Sequence, residues 1–333
     1  MSAVPPALRI SSDEVAHLLA AAGRAPSLHN SQPWRFRVEP DLIELWADPR
    51  RALPAADPSG REQRLACGAA LYNLRLALQG CGVRPLVTLQ SDPDRPDLLA
   101  CVRYGGHKSP TPEQLRLLAA IPKRHTNRTP FTDEQLTIGE RNALSRAALD
   151  EGAWLHFVDD RGQRDELARL AAQAHTIQQA DPAFQAEVAR WMAVTADRPD
   201  GIPSHANEHR PSAHERWVKR DFTGGRGRTT AAMGVRFEQD PAIAVISPYA
   251  FGVSADVTAG QAMQHVLLTA TAEGLAVSFL SQVVEVEQTR DQLRRLMLGS
   301  RSPRVVLRIG RGWPVPTTPR RAVTDLLMPL SAR

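Results

Sequence analysis

The chain is poor in cysteine, in long apolar runs and in glycine-rich nucleotide signatures, and each absence removes a class of protein. Its three cysteines, Cys67, Cys81 and Cys101, form no C-x-x-C pair. So sparse and odd a set is no disulfide framework, and it fits a reducing cytoplasm, where we expect the protein to reside. No run approaches the length needed to cross a bilayer, so no membrane attachment is expected. The start, Met-Ser-Ala-Val-Pro-Pro, lacks the basic region and apolar core of a secretory leader. No G-x-G-x-x-G opens a helix after a strand and no G-x-x-x-x-G-K-[ST] occurs, which argues against a Rossmann domain and a P-loop. No nucleophile–histidine–carboxylate set stands out. His205, His209 and His214 come nearest to a metal cluster, but Pro203 and Pro211 break the segment. No cysteine or carboxylate completes it convincingly, so no metal is expected.

What remains is an ordinary globular composition. The 333 residues suit two domains or one large one, and a hydrophobic fraction of 42% can build a real core. The formal charge of +5 is modest for this length, and arginine far outnumbers lysine. Arginine suits planar recognition of phosphate, and genome composition gives the same bias. The segment from Arg216 to Arg228 is locally basic, but it interleaves only Trp217 and Phe222, too little aromatic surface for a nucleic-acid partner.

The most informative stretch is Arg24-Ala-Pro-Ser-Leu-His-Asn-Ser-Gln-Pro-Trp34. It comes after an amphipathic helix expected over residues 12–24 and precedes an alternating run, Trp34-Arg-Phe-Arg-Val38, that reads as a strand. A helix-to-strand loop with two prolines is rigid, and it presents Ser27, Asn30 and Gln32 as hydrogen-bonding groups. It can be a ligand loop, or simply a capped turn anchored by Trp34. Lys123-Arg-His-Thr-Asn-Arg128 gathers cations around a hydroxyl, either for a phosphate or as a solvated basic turn.

The chain also resembles itself. Thr132-Asp-Glu134 repeats Ser12-Asp-Glu14 after 120 positions, and the same offset puts Trp154 on Trp34 and Val158 on Val38. Gly68, Ala70, Leu71, Leu74, Leu76 and Gly82 are matched by Gly260, Ala262, Met263, Val266, Leu268 and Gly274 after 192 positions. Both of these segments have helical apolar spacing closed by a glycine. The change of offset gives the second half about 72 extra residues. We place this insertion at about 160–237, a long segment rich in turn formers and charge, of the kind that serves as a lid or binding loop. The halves are then residues 1–120 and 121–333.

The loop resembles the signature A-P-S-x-x-N-x-Q-P-W of the FMN-dependent nitroreductase superfamily. Lys123–Arg128 resembles its R-[RH]-[ST]-x-[RK] motif. In an ordinary member the basic motif precedes the loop by a few dozen residues, whereas here it comes about a hundred later. A duplication explains the order, because the family's dimeric sites take one motif from each subunit. The first half has Pro5–Ile10 in place of the basic motif, and the second has Ala147–Trp154 in place of the loop. The chain therefore resembles the Acg-like branch of mycobacteria and other actinobacteria, a nitroreductase dimer fused into one chain.

The resemblance implies an α+β, nitroreductase-like fold of two tandem repeats forming an intramolecular pseudo-dimer, acting as a monomer or as a homodimer. It implies one FMN, held by Pro26, Ser27, Leu28, Asn30 and Gln32 from one half and by Arg124, Thr126 and Arg128 from the other. Leu280 and Ser281 are expected beside the ring, and Arg320 and Arg321 after the last strand are expected at the phosphate, with either one making the contact. No side chain need be catalytic, since hydride passes at flavin N5. NAD(P)H would be the electron donor, and a nitroaromatic or quinone the small-molecule acceptor. The alternatives are an FMN storage or sequestration protein whose lid occludes the ring, and a structural module without flavin.

Overall fold

The computed structural model describes residues 4–89, 92–192, 198–203, 216–217, 220, 238, 240–297 and 302–329. The first half opens with α1 (Ser12–Ala22), started by a reciprocal capping box between Ser11 and Glu14. Its inner stripe is Val15, Leu18, Leu19 and Ala22. Strands β1 (Trp34–Glu39) and β2 (Leu42–Ala47) form a hairpin, followed by α2 (Arg61–Gly80), β3 (Val83–Leu89) and β4 (Leu98–His107). Trp34, Phe36 and Val38 face the core while the residues between them are half-buried, as the alternating sequence dictates.

After α3 (Pro112–Ala120) the second half repeats the plan with α4 (Ile138–Asp150) and β5 (Ala153–Phe157). Next come α5 (Arg161–Ala180), α6 (Pro182–Met192), β6 (Ala242–Pro248), α7 (Val253–Ala272) and β7 (Ala276–Phe279). The elements α8 (Gln282–Glu285), α9 (Glu287–Leu296), β8 (Val305–Gly310) and α10 (Val323–Leu326) complete it. The two antiparallel sheets have the same strand order, β1-β2-β4-β3 and β5-β6-β8-β7. The chain is thus an α+β fold of two tandem repeats, with α2 and α7 packed together between the sheets.

The inserted segment lies between β5 and β6, where the first half has only the Pro40–Asp41 turn. Its beginning is not irregular. Leu167, Leu170, Ala171 and Ala174 lie on one face of α5, and Leu167, Leu170 and Ala171 join Val283 and Leu293 of α8 and α9 in a second core. Burial of that stripe makes α5 regular, and the turn-rich run Arg198–Pro203 comes after α6. His205, His209, His214 and most of the Arg216–Arg228 stretch lie outside the described residues.

Extended segments cross between the halves. Residues 124–131 run along the second sheet, with a parallel bridge from Thr126 to Val277 and a 2.9 Å bond from Asn127 N–H to the Val277 carbonyl. The chain after β8 returns to the first half, where Met328 N–H donates to the Phe36 carbonyl at 2.7 Å. Among the described residues no helix is long and apolar enough to cross a membrane.

Candidate functional site

These crossings enclose a cavity between the halves. The loop of residues 26–30 forms one side, the basic motif the other, and α2 and α7 contribute Leu65, Ala66 and Met263. Pro26, Ser27, Leu28, Asn30, Arg124, Thr126, Arg128, Leu280, Ser281 and Arg320 all line it. Gln32 and Arg321, expected at the ligand, stand behind the loop instead. The Arg321 N–H donates to Gln32 Oε1 at 2.9 Å, and its guanidinium donates to the Gln32 carbonyl at 3.1 Å. Gln32 Nε2 donates to the Pro199 carbonyl at 2.8 Å. Of the two adjacent arginines, only Arg320 faces the cavity, because successive residues of an extended chain point to opposite sides.

The loop backbone is strained. His29, Asn30 and Gln32 hold φ of 53°, 55° and 50°, the left-handed region that non-glycine residues avoid at a cost of about 1–2 kcal/mol each. Tertiary hydrogen bonds hold it there. Asn30 Nδ2 donates to the Gly201 carbonyl at 2.9 Å and to the Pro319 carbonyl at 3.1 Å, while its Oδ1 accepts from Arg320 at 3.0 Å. Arg51, which also donates to the Ser31 carbonyl, pairs with Asp200 at 2.7 Å. The Arg198–Pro203 piece of the insertion is thereby strapped onto the loop, and Ile202, Trp217 and Arg220 add to the cavity wall.

One end of the cavity is strongly cationic. Arg124 is buried; among the described residues its Nη2 donates only to the Arg24 carbonyl at 3.3 Å, and its Nε and Nη1 have no partner. Burial and the neighbouring Arg24 push Arg124 down to about 10. Burial, with Arg124 and Arg24 beside it, pushes Arg320 to about 9. Burial, with Arg220 and Arg124, pushes Arg128 to about 10. His125 falls to about 4 through burial and the charges of Arg124, Arg320 and Arg24. No carboxylate among the described residues pairs with Arg124 or Arg320. Buried like charges with open donors are stabilised by an anion, and a phosphate matches a guanidinium fork.

The other end holds residues that no sequence motif marks. His29 is 2% exposed and neither ring nitrogen has a partner among the described residues; burial, then Arg220, lowers its pKa to about 3. Arg220 pairs with Glu285 at 2.6 Å, and Gln178 donates to the same carboxylate at 2.7 Å. Glu62, on the first turn of α2, also reaches the cavity. His29 occupies a variable position of the loop signature, and Glu62 lies in no motif, so neither carried a sequence signal. Among the described residues no group of three metal-ligating side chains occurs.

No family model matches the chain. It is 31% identical over 324 residues to a Mycobacterium tuberculosis H37Rv protein provisionally named NAD(P)H nitroreductase Rv3131, covering 95% of this chain and 91% of that one. It is 30% identical over 331 residues to the similarly named NAD(P)H nitroreductase acg of the same strain, covering 96% and 97%. Among solved structures, a nitroreductase with bound FMN from Desulfitobacterium hafniense DCB-2 is 15% identical with a TM-score of 0.40, over 65% of this chain and 98% of that one. A nitroreductase with bound FMN from Bacteroides fragilis NCTC 9343 is 14% identical with a TM-score of 0.37, over 62% and 92%.

Proposed function

The chain belongs to the nitroreductase family, and from that premise we propose that it is an FMN-binding oxidoreductase with one flavin per chain. Residues 1–120 and 121–333 act as the two members of a fused pair, and residues from about 160 to 237 carry the lid. The observation that carries this reading is Arg124, buried with two guanidinium nitrogens unpartnered and no carboxylate to neutralise it among the described residues. That donor set fits the flavin phosphate. Arg320 would share the phosphate, with Thr126 and Arg128 toward the ribityl chain and pyrimidine edge. Leu65, Ala66, Met263 and Leu280 offer the apolar wall that a flat ring needs.

When bound, FMN supplies two-electron chemistry at its ring N5, which the protein needs only to orient and shield. The strapped loop fixes the wall, and Ile202, Trp217 and Arg220 limit the approach of water. NAD(P)H is the proposed donor, a nitroaromatic or quinone the proposed acceptor, and the cytoplasm the proposed location, which suits three free cysteines.

A second reading, FMN storage, is favoured by the pairing of Arg51 with Asp200 and of Asn30 with Gly201, which holds part of the insertion against the cavity. The two readings share the site and differ in whether a nicotinamide can reach it. Fluorescence titration of FMN into flavin-free wild type and Arg124→Ala tests the shared claim. A lost charge-assisted hydrogen bond, about 1.5–3 kcal/mol, lowers affinity roughly ten- to a hundred-fold. Equal affinities would place the flavin elsewhere.

A further inference from the structure

Beside the main cavity lies an outer cleft between the α2 N-terminus, α5 and the α8–α9 corner, lined by Asp57, Arg61, Asp181, Glu285, Glu287 and Arg290. Among the described residues only Glu62 and Val284 line both spaces. Val284 carries no proton, so Glu62 alone of the shared wall can take one from one side and release it on the other. Its carboxyl makes no hydrogen bond or ion pair among the described residues. Its intermediate exposure fits a side chain seated between an enclosed space and a cleft.

The other titratable groups of the cavity are unsuited to this work. His29 and His125 are held neutral at pH 7, with pKa values of about 3 and 4. The cavity arginines stay charged. Glu285 faces Glu62 but is bound to Arg220 at 2.6 Å. Asp57 is tied to the start of α2, accepting from Gln63 N–H at 2.9 Å. Burial, then the carboxylates of Glu285 and Asp57, with Asp256 behind them, raise Glu62 well above the usual carboxylate range, against the opposing pull of Arg61. Glu62 therefore favours its protonated form more than an ordinary carboxyl does, next to an enclosed site.

We propose that Glu62 is the proton inlet of the flavin cavity, passing protons from the outer cleft to the group reduced inside. The inference rests on the reading of the cavity as a flavin site. Full reduction of an isoalloxazine takes up two electrons and two protons. With dithionite as reductant, the electrons come from the dithionite, which ends as sulfite, and the protons come from water. For each proton, the Glu62 O–H bond breaks as the proton passes inward, and the carboxylate is reprotonated from the outer cleft. A positioned acid of this kind changes rates by about 10²–10⁴-fold.

The test uses FMN-loaded full-length protein, reduced by excess dithionite in anaerobic stopped flow from pH 6 to 10, in H2O and in D2O. Wild type should slow as pH rises through the ionisation of Glu62 and should show a solvent isotope effect. Glu62→Gln should bind FMN with unchanged affinity, reduce at least about tenfold more slowly at pH 7, and lose that pH step. Glu62→Asp should retain the step. Glu287→Gln, which alters only the outer cleft, should behave as wild type. FMN-loaded Glu62→Gln with wild-type rate and pH profile overturns the inlet alone. A wild-type chain that takes up no FMN overturns the flavin reading and the inlet with it.

Discussion

Gly68 and Gly260 meet where α2 crosses α7, each against the backbone of the other helix. A Cβ on Gly68 would lie 2.2 Å from the Val257 carbonyl oxygen, and a Cβ on Gly260 would lie 2.0 Å from that of Leu65. The two contacts are one contact seen twice, since Leu65 and Val257 are related by the same 192-residue offset as the glycines. The relation continues along the helices. Tyr72 stacks on His265 with centroids 5.0 Å apart, and the equivalent pair is Gln264 donating to Asn73 at 2.8 Å. A pseudo-twofold axis runs through the crossing, and both halves contribute to the cavity beside it.

Gly68→Ala and Gly260→Ala should each destabilise the protein by about 3 kcal/mol, because a carbonyl on a packed helix cannot yield as a flexible side chain can. Urea unfolding measures this. A loss under about 0.5 kcal/mol, the range of neutral surface changes, would mean that the helices are not packed as described.

Much of this architecture was legible in the sequence. Gly68 and Gly260 stood out as repeat landmarks because close helix approach demands glycine, and the loop and basic motif are dense in residues with special backbone or charge. The helices of the insertion were less legible. Leu167, Leu170, Ala171 and Ala174 have helical spacing, but the turn formers and charges after them dominate the composition of the segment. The bracing roles of Gln32 and Arg321 could not be read, since they depend on the return of the chain from β8 to the first half. Glu62 is a first-turn glutamate like many others until the fold sets it between two cavities.

The two cavity histidines set a pH dependence. His29 and His125 are neutral in the folded chain, with pKa values of about 3 and 4 against 6.5 unfolded. Stability should therefore be full above pH 6.5 and fall as acid protonates the unfolded state preferentially, each unit of depression being worth about 1.36 kcal/mol. His29→Leu should flatten the fall between about pH 6.5 and 3 in urea titrations. An unchanged slope would mean that His29 is solvated.

Asp200→Ala should loosen the strap. It removes the partner of Arg51 at 2.7 Å and of Arg198 at 2.5 Å. FMN release and reduction by NADPH should both accelerate, by about tenfold for 1.4 kcal/mol of lost closure. Replacing Arg198–Gly234 with a short Gly/Ser linker should act in the same direction. Stopped-flow reduction under argon reads both, and fast NADPH reduction of wild type with no gain in either variant would remove the occluding role of the insertion.

The most direct test of the account is the flavin content of the purified chain, saturated with FMN, freed of excess, then denatured and measured by absorbance against protein concentration. One cavity carries the basic motif and the strapped loop together, so the account predicts one FMN per polypeptide, bound roughly ten- to a hundred-fold more weakly after Arg124→Ala. Two flavins per chain, or one retained at full affinity without Arg124, would contradict it.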